Sequence, residues 1–147
     1  MIGIDLGCGR RPVPGCIHVD FTKHSDCVDV VHDLNVRPWP FESGYADKIY
    51  AIDVLEHLVD FVPSLEECHR ILKVGGQLYL QVPFAGNLMG IRDPTHRWHL
   101  TPNSLDYFIV GTDMEINYGF YSPMRWSVLS YQDMRDNLYW ELQKCQG

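Results

Sequence analysis

Short apolar runs separated by turn-forming residues recur along the first half of the chain: Ile2 to Leu6, Cys16 to Val19, Val28 to Val31, Lys48 to Ile52 and Gln77 to Val82. Runs of this length bounded by Gly, Pro, Asp and Asn predict five strands. Between the fourth and fifth the period changes. Val62, Leu65, Cys68, His69 and Leu72 fall at helical spacing, with Pro63 suited to a first turn and Gly75-Gly76 to a C-terminal stop. Strand, helix and strand in that order predict a parallel crossover.

After the fifth strand comes a polar loop, then Thr101-Pro102-Asn103-Ser104, which reads as an N-cap with proline at the first helical position and predicts a short helix to Phe108. Met114 to Tyr121 and Arg125 to Tyr131 flank Ser122-Pro123-Met124 and predict a hairpin; Met134, Leu138 and Leu142 predict a closing amphipathic helix. The rings of Tyr118, Phe120, Tyr121, Trp126, Tyr131, Tyr139 and Trp140 exceed what one hairpin face needs. Core packing is their default, with an acceptor pocket or a homodimer interface as the other places for them. There are no repeats, low-complexity tracts or linkers, and a single domain over 1–147 is expected.

With 147 residues, 46% hydrophobic and 21% charged, the chain has ordinary globular composition. Twelve basic against nineteen acidic residues give a net charge of -7, with no block of like charges. Broad electrostatic binding to duplex nucleic acid or an anionic membrane is therefore not expected. Cys8, Cys16, Cys27, Cys68 and Cys145 are scattered and include no CxxC pair. They suggest neither a disulfide framework nor a zinc knuckle, and a reducing cytoplasm is the expected setting. Met1 leads almost at once into the first strand, so no signal peptide is expected, and no apolar stretch reaches membrane-spanning length.

Chemistry enters with Asp5-Leu6-Gly7-Cys8-Gly9, directly after the first strand, where small residues let backbone approach a ligand at the carboxyl end of a sheet. A dinucleotide fingerprint needs another glycine three residues beyond Gly9, and that position is Pro12. Each later strand ends in a residue suited to an adenosine or amino-acid ligand: Asp20, then Asp33-Leu34, then Asp53. Taken alone, Asp20 or Asp33 is equally a turn-capping aspartate. In series, with the stretch ADKIYAIDVLEHLVD and with HRILKVGGQLYLQVP, they carry a resemblance: from Ile2 to Pro83 the chain resembles the class I S-adenosylmethionine (SAM)-dependent methyltransferases.

The resemblance implies a fold, a cofactor and roles. The fold is α/β: a Rossmann-like, mostly parallel twisted sheet with a C-terminal antiparallel hairpin and a reduced helix complement. SAM is the cofactor and methyl transfer to a small-molecule or sugar-type acceptor the reaction. Asp5, Gly7, Cys8 and Gly9 would border its methionine and ribose portion, Asp20 the ribose hydroxyls, Asp33 the adenine amino group, Leu34 the adenine ring, and Asp53 with Val54 the methionine end. A carboxylate is well suited to two vicinal hydroxyls, and a charged amine to nearby oxygen acceptors. The chain departs from the pattern twice. Arg10-Arg11-Pro12-Val13-Pro14-Gly15 is too short and too proline-rich for the usual first crossover helix. The helices that precede the first strand in the family have no counterpart either, so a lid from a partner subunit is one expected remedy.

Methyl transfer is a displacement at an activated carbon that alignment and desolvation can drive, so no universal catalytic residue is expected. A hydroxyl or amine acceptor benefits from a base, and the loop Arg92-Asp93-Pro94-Thr95-His96-Arg97-Trp98-His99 offers His96 first and His99 second. An equally weighted reading has Asp93 and His96 tying down that loop while Trp98 and Leu100 pack. Asp93, His96 and His99 also match a two-histidine, one-carboxylate spacing, which loops produce by accident, and no metal is expected. Glu56 and His57 belong to the LEH turn beside the cofactor site, His57 as a wall or as a base, both equally as backbone anchors. Arg10, Arg11, Arg92 and Arg97 would favour a phosphorylated or carboxylated acceptor if they converge; scattered surface arginines are the plainer reading. Cys68 reads as core. A SAM-binding module without transfer, and a SAM-cleaving hydrolase or lyase, are the rival functions.

Overall fold

The structure is a computed structural model that describes residues 1–146. Seven strands form one sheet: β1 Gly3–Leu6, β2 Ile17–Asp20, β3 Val30–Val31, β4 Ala46–Ile52, β5 Leu72–Pro83, β6 Trp126–Met134 and β7 Asn137–Lys144. Their order is β3-β2-β1-β4-β5-β7-β6. The first five pair in parallel, and β7 runs antiparallel to both β5 and β6. This is the Rossmann-like sheet with a C-terminal antiparallel hairpin. Only three α-helices occur among the described residues: α1 Phe61–Ile71, α2 Leu88–Ile91 and α3 Asp113–Tyr118.

Period-2 patterning puts one continuous apolar row on a single face. Leu6, Val19, Ala51, Leu80 and Trp140 stand side by side across five strands, with Ile4, Ile49, Leu78 and Leu142 beneath them, all buried. Helix α1 adds Phe61, Leu65, Cys68 and Ile71 to this core. The opposite face carries Lys48, Tyr50, Gln77, Tyr79, Gln81, Tyr139 and Glu141, half-exposed, with Tyr50 stacked on Tyr79 at 4.7 Å. The β1 to β2 connection is an open loop, and its two prolines account for the missing helix.

Four sequence expectations need correction. Helix α1 ends at Ile71, because Leu72 is buried and already pairs with Ala46; Gly75 and Gly76 instead let β5 bulge before Gln77 meets Lys48. The helix expected after Thr101 is a series of turns ending in the 3-10 turn Asp106–Phe108, because the Ser104 hydroxyl accepts from the Thr101 amide and the Thr101 side chain caps nothing. Met114 to Tyr121 is helix α3 plus a 3-10 turn, not a strand. The Thr112 hydroxyl caps it by accepting from the Glu115 amide at 3.1 Å, and Glu115 reaches back to the Gly111 amide at 3.3 Å. The closing helix is strand β7, and the hairpin is β6 with β7. Leu138 and Leu142 are four apart, a spacing that period 2 also satisfies, and buried Trp140 between them belongs only to the strand pattern.

Candidate functional site

The carboxyl ends of β1, β2 and β4 meet in three adjoining clefts. The largest, about 500 Å³, is lined by Gly7, Asp20, Phe21, the segment 32–35, Asp53, Val54, His57 and Leu58. A second, about 360 Å³, lies over the glycine loop between Asp5, Cys8, Arg10, Arg11 and Asp53. A third, about 320 Å³, is walled by Asp53, Glu56, His57, Pro83, Met89, Arg92, Asp93, His96 and Asn137. Asp53 borders all three. It is also the single non-glycine with positive φ (+52°) among the described residues, a strained conformation of the kind that collects at functional sites.

Glycine is required at position 7 twice over. Its φ is +61°, and an added Cβ would meet Val54 Cγ2 at 2.6 Å. The Gly9 amide donates to Asp20 Oδ2 at 2.9 Å and the Phe21 amide to Oδ1 at 2.8 Å. Burial pushes the Asp20 carboxyl up, but those amides and His24 outweigh it and hold it below the usual carboxylate range. An ionised acceptor with one lone pair still free on Oδ1 thus faces the large cleft. Asp5 is buried and accepts from the Val13 amide at 2.8 Å, which pins the open loop, and burial raises its carboxyl. The Cys8 thiol is pushed up to about 12 by burial, so it stays protonated. Leu34 gives the cleft a buried apolar wall, while exposed Asp33 spends one oxygen on the Asn35 amide at 2.9 Å. A glycine cradle that any side chain would fill, an ionised carboxylate and an apolar wall fit a bound adenosine with an amino-acid tail.

The third cleft is built where the loop after β5 docks on the 3-10 turn Leu55–His57. The Glu56 carbonyl accepts from the Arg97 amide at 2.8 Å and the Trp98 amide at 3.3 Å, and the Trp98 indole donates to the Leu58 carbonyl at 2.9 Å. The Glu56 side chain is 1% exposed, and neither carboxylate oxygen has a hydrogen-bond partner. Burial, reinforced by the carboxylates of Asp53 and Asp93, pushes it up to about 8.

Asp93 Oδ1 accepts from the Thr95 hydroxyl at 2.7 Å, and that hydroxyl lies 2.9 Å from His57 Nδ1. Because the Thr95 proton is committed to Asp93, His57 Nδ1 is the donor and Nε2 carries the lone pair. His96 Nδ1 lies 3.1 Å from the Gly90 carbonyl, which can only accept, so His96 also presents an Nε2 lone pair. The two rings meet edge to face at 4.8 Å.

His99 is exposed and does not line this cleft. Asp93, His96 and His99 do not converge; the ligand atoms that do belong to Glu56, His57 and His96, within 4.8 Å of one another. The arginines also stay apart, Arg10 and Arg11 at the glycine loop, Arg92 at the third cleft and Arg97 at neither. Sequence reasoning passed over Phe21, His32 and Asn35 as lining residues, and Thr95 as the link to His57. Thr95 stands two residues after Asp93, the spacing of an Asx turn, and that was its one available signal.

Among known proteins, a family model described as a methyltransferase domain matches residues 4–80, more than half of the chain. No curated protein matches in sequence. The fold is similar to the methyltransferase in a complex with the Trm112 methyltransferase activator from Haloferax volcanii (13% identity, TM-score 0.69, 99% of this chain and 83% of that one). It is also similar to the YcgJ protein of Bacillus subtilis (14%, 0.65, 99% and 92%) and to a SAM-dependent methyltransferase from Archaeoglobus fulgidus (17%, 0.66, 97% and 85%). No helix among the described residues is long and apolar enough to cross a membrane.

Proposed function

We propose, from the premise that this chain belongs to the methyltransferase domain family and is a SAM-dependent methyltransferase, that it methylates a hydroxyl of a small-molecule or sugar-type acceptor held in the cleft between Glu56 and Asn137. The observation that carries this reading is the wall of Asp53 and His57 common to the nucleotide-side cleft and the acceptor cleft. A ligand in either abuts a ligand in the other.

Bound SAM supplies a methyl group already activated on a sulfonium. The chain's own part is to hold and align. Asp20 accepts the ribose hydroxyls, Gly7 and Gly9 admit the backbone close to the ligand, and Leu34 covers the adenine beside Asp33. Asp53, held by Gln81 Nε2 at 2.8 Å, stands at the junction near the methionine end with Val54. The acceptor hydroxyl is activated within the Glu56, His57 and His96 cluster, where two imidazole lone pairs and a buried carboxylate face the cleft. His99, outside the cleft, takes no part in holding it. The described residues act as one SAM-binding domain, and the five free cysteines support a cytoplasmic setting.

Calorimetric titration with SAM and S-adenosylhomocysteine, for the native chain and Asp20→Ala, tests the cofactor site. Loss of the hydrogen bonds to a charged group is expected to weaken binding by about 1.5–3 kcal/mol, roughly 10- to 150-fold. No binding to a folded native chain would end this reading. With an acceptor present, S-adenosylhomocysteine as product supports transfer, whereas methylthioadenosine marks cleavage.

A further inference from the structure

Three potential metal-ligating groups converge in the acceptor cleft. Glu56 brings a carboxylate that is 1% exposed and unpartnered on both oxygens. His57 Nε2 lies 3.8 Å from Glu56 Oε1. His96 Nε2 completes the group, all three ligand atoms lying within 4.8 Å of one another. Each imidazole is locked through its other nitrogen, His57 by the Asp93–Thr95 chain and His96 by the Gly90 carbonyl. That outer arrangement fixes the tautomer and aims the Nε2 lone pair, as it does around metal-ligating histidines. With Glu56 ionised, these converging lone pairs call for positive charge among them, which a proton on Glu56 supplies in the metal-free chain and a cation would supply in its place.

We propose that Glu56, His57 and His96 form a binding site for a divalent transition-metal cation, which holds and activates the acceptor hydroxyl. The proposal rests on the methyl-transfer reading and deepens it. Two imidazole nitrogens and one carboxylate suit Mn²⁺, Fe²⁺, Co²⁺ or Zn²⁺ rather than Mg²⁺ or Ca²⁺, and they leave coordination positions open towards the cleft. Ligands bind such ions at about 2.0–2.2 Å, so the three atoms need to draw in by roughly 1 Å. Asp93 Oδ2, 3.6 Å from His96 Nε2, stands beside the site as a further oxygen. Coordination lowers the hydroxyl's pKa. The acceptor O–C bond forms as the S–C bond of SAM breaks, the electron pair of that bond stays on sulfur, S-adenosylhomocysteine leaves, and the hydroxyl proton passes to water. The ligands do not have to act as bases themselves.

The second converging set, Cys8, Asp20 and His24, carries no such proposal, because Asp20 is already engaged by two amides and His24.

The test uses the chelator-treated full chain titrated with MnCl₂ by electron paramagnetic resonance and with ZnCl₂ by calorimetry, with MgCl₂ as comparison. One saturable equivalent of Mn²⁺ or Zn²⁺ is expected, with Mg²⁺ far weaker. Glu56→Gln and His96→Ala are expected to weaken it by roughly 100-fold or more, and Thr95→Val, which frees the His57 tautomer, by about 10-fold. SAM affinity, measured on the same samples, should be unchanged, and each variant should still unfold in one cooperative transition. Metal binding that is absent, or indifferent to all three substitutions in chains that still bind SAM, overturns the cation site and leaves the cofactor reading standing. Failure of SAM binding in the native chain would strike the underlying reading instead.

Discussion

Replacing Glu56 by glutamine should make the metal-free protein more stable at neutral pH. Burial moves this carboxyl from an ordinary 4.5 to about 8, against only its own backbone amide, and no other residue donates to either oxygen. The folded chain therefore holds a proton that the unfolded chain releases, and folding takes up that proton between pH 4.5 and about 8. Stability from this group is complete below 4.5, falls through the window as pH rises, and is level again above 8. A tenfold difference in proton affinity between the folded and unfolded chain is worth ~1.36 kcal/mol, so the loss is about 3 kcal/mol at pH 7 and approaches 5 kcal/mol above pH 8. Glutamine keeps the shape and cannot ionise. Urea unfolding of both proteins at pH 5, 6, 7 and 8 with chelator present, followed by tryptophan fluorescence, reads the effect, since Trp39 and Trp126 are both buried. Other titrating groups cancel in the difference between the two curves. The expected difference is small at pH 5 and grows to about 3 kcal/mol in favour of the variant at pH 7. Parallel curves, or a variant less stable at pH 8, would refute the claim that an unpartnered carboxylate is buried there.

Gly7→Ala forces a Cβ to within 2.6 Å of Val54 in a left-handed conformation, at a cost of about 1–2 kcal/mol in denaturation, and should close the nucleotide-side cleft; unchanged SAM affinity by calorimetry would contradict the cradle. Thr95→Val cuts the chain from Asp93 to His57 and should lower kcat roughly 10- to 100-fold in a methyl-transfer assay, with SAM affinity unaltered; an equal fall in SAM affinity would make Thr95 merely structural. Leu80→Ala, within the apolar row between Ala51 and Trp140, should cost about 2–5 kcal/mol in urea unfolding, and a loss below 1 kcal/mol would mean that the row is not the core.

The parallel half of the fold was legible because the first four of its five strands lead into punctuation that the sequence displays: Gly7, Asp20, Asp33 and Asp53. Its one-sidedness was legible too, had the alternation been followed. Gln77, Tyr79 and Gln81 alternate with Leu78, Leu80 and Val82, a pattern that a strand buried on both faces does not have. The C-terminal third was misread for a different reason. Intervals of four residues satisfy both the helical and the strand period, so Leu138 and Leu142 decide nothing, and the discriminating residue is Trp140. The Thr112-x-x-Glu115 capping box, visible in the sequence, was outweighed by the apolar residues around it.

The acceptor cleft was the least legible part, because its key residue divides its work between two sets of atoms. Sequence reasoning put Glu56 beside the cofactor site or, equally, in a structural role holding the turn, and in the structure these two roles fall to different atoms of the residue. The main-chain carbonyl does the anchoring, taking the Arg97 and Trp98 amides, a task that any residue of suitable backbone conformation performs equally well. The carboxylate docks no part of the protein. Structure alone would be better served by a neutral side chain at this position, by about 3 kcal/mol at pH 7 on the linkage above. A carboxylate that destabilises the turn it sits on and faces two oriented imidazoles is accounted for by what enters the cleft, which places the reason for Glu56 in the chemistry rather than in the fold.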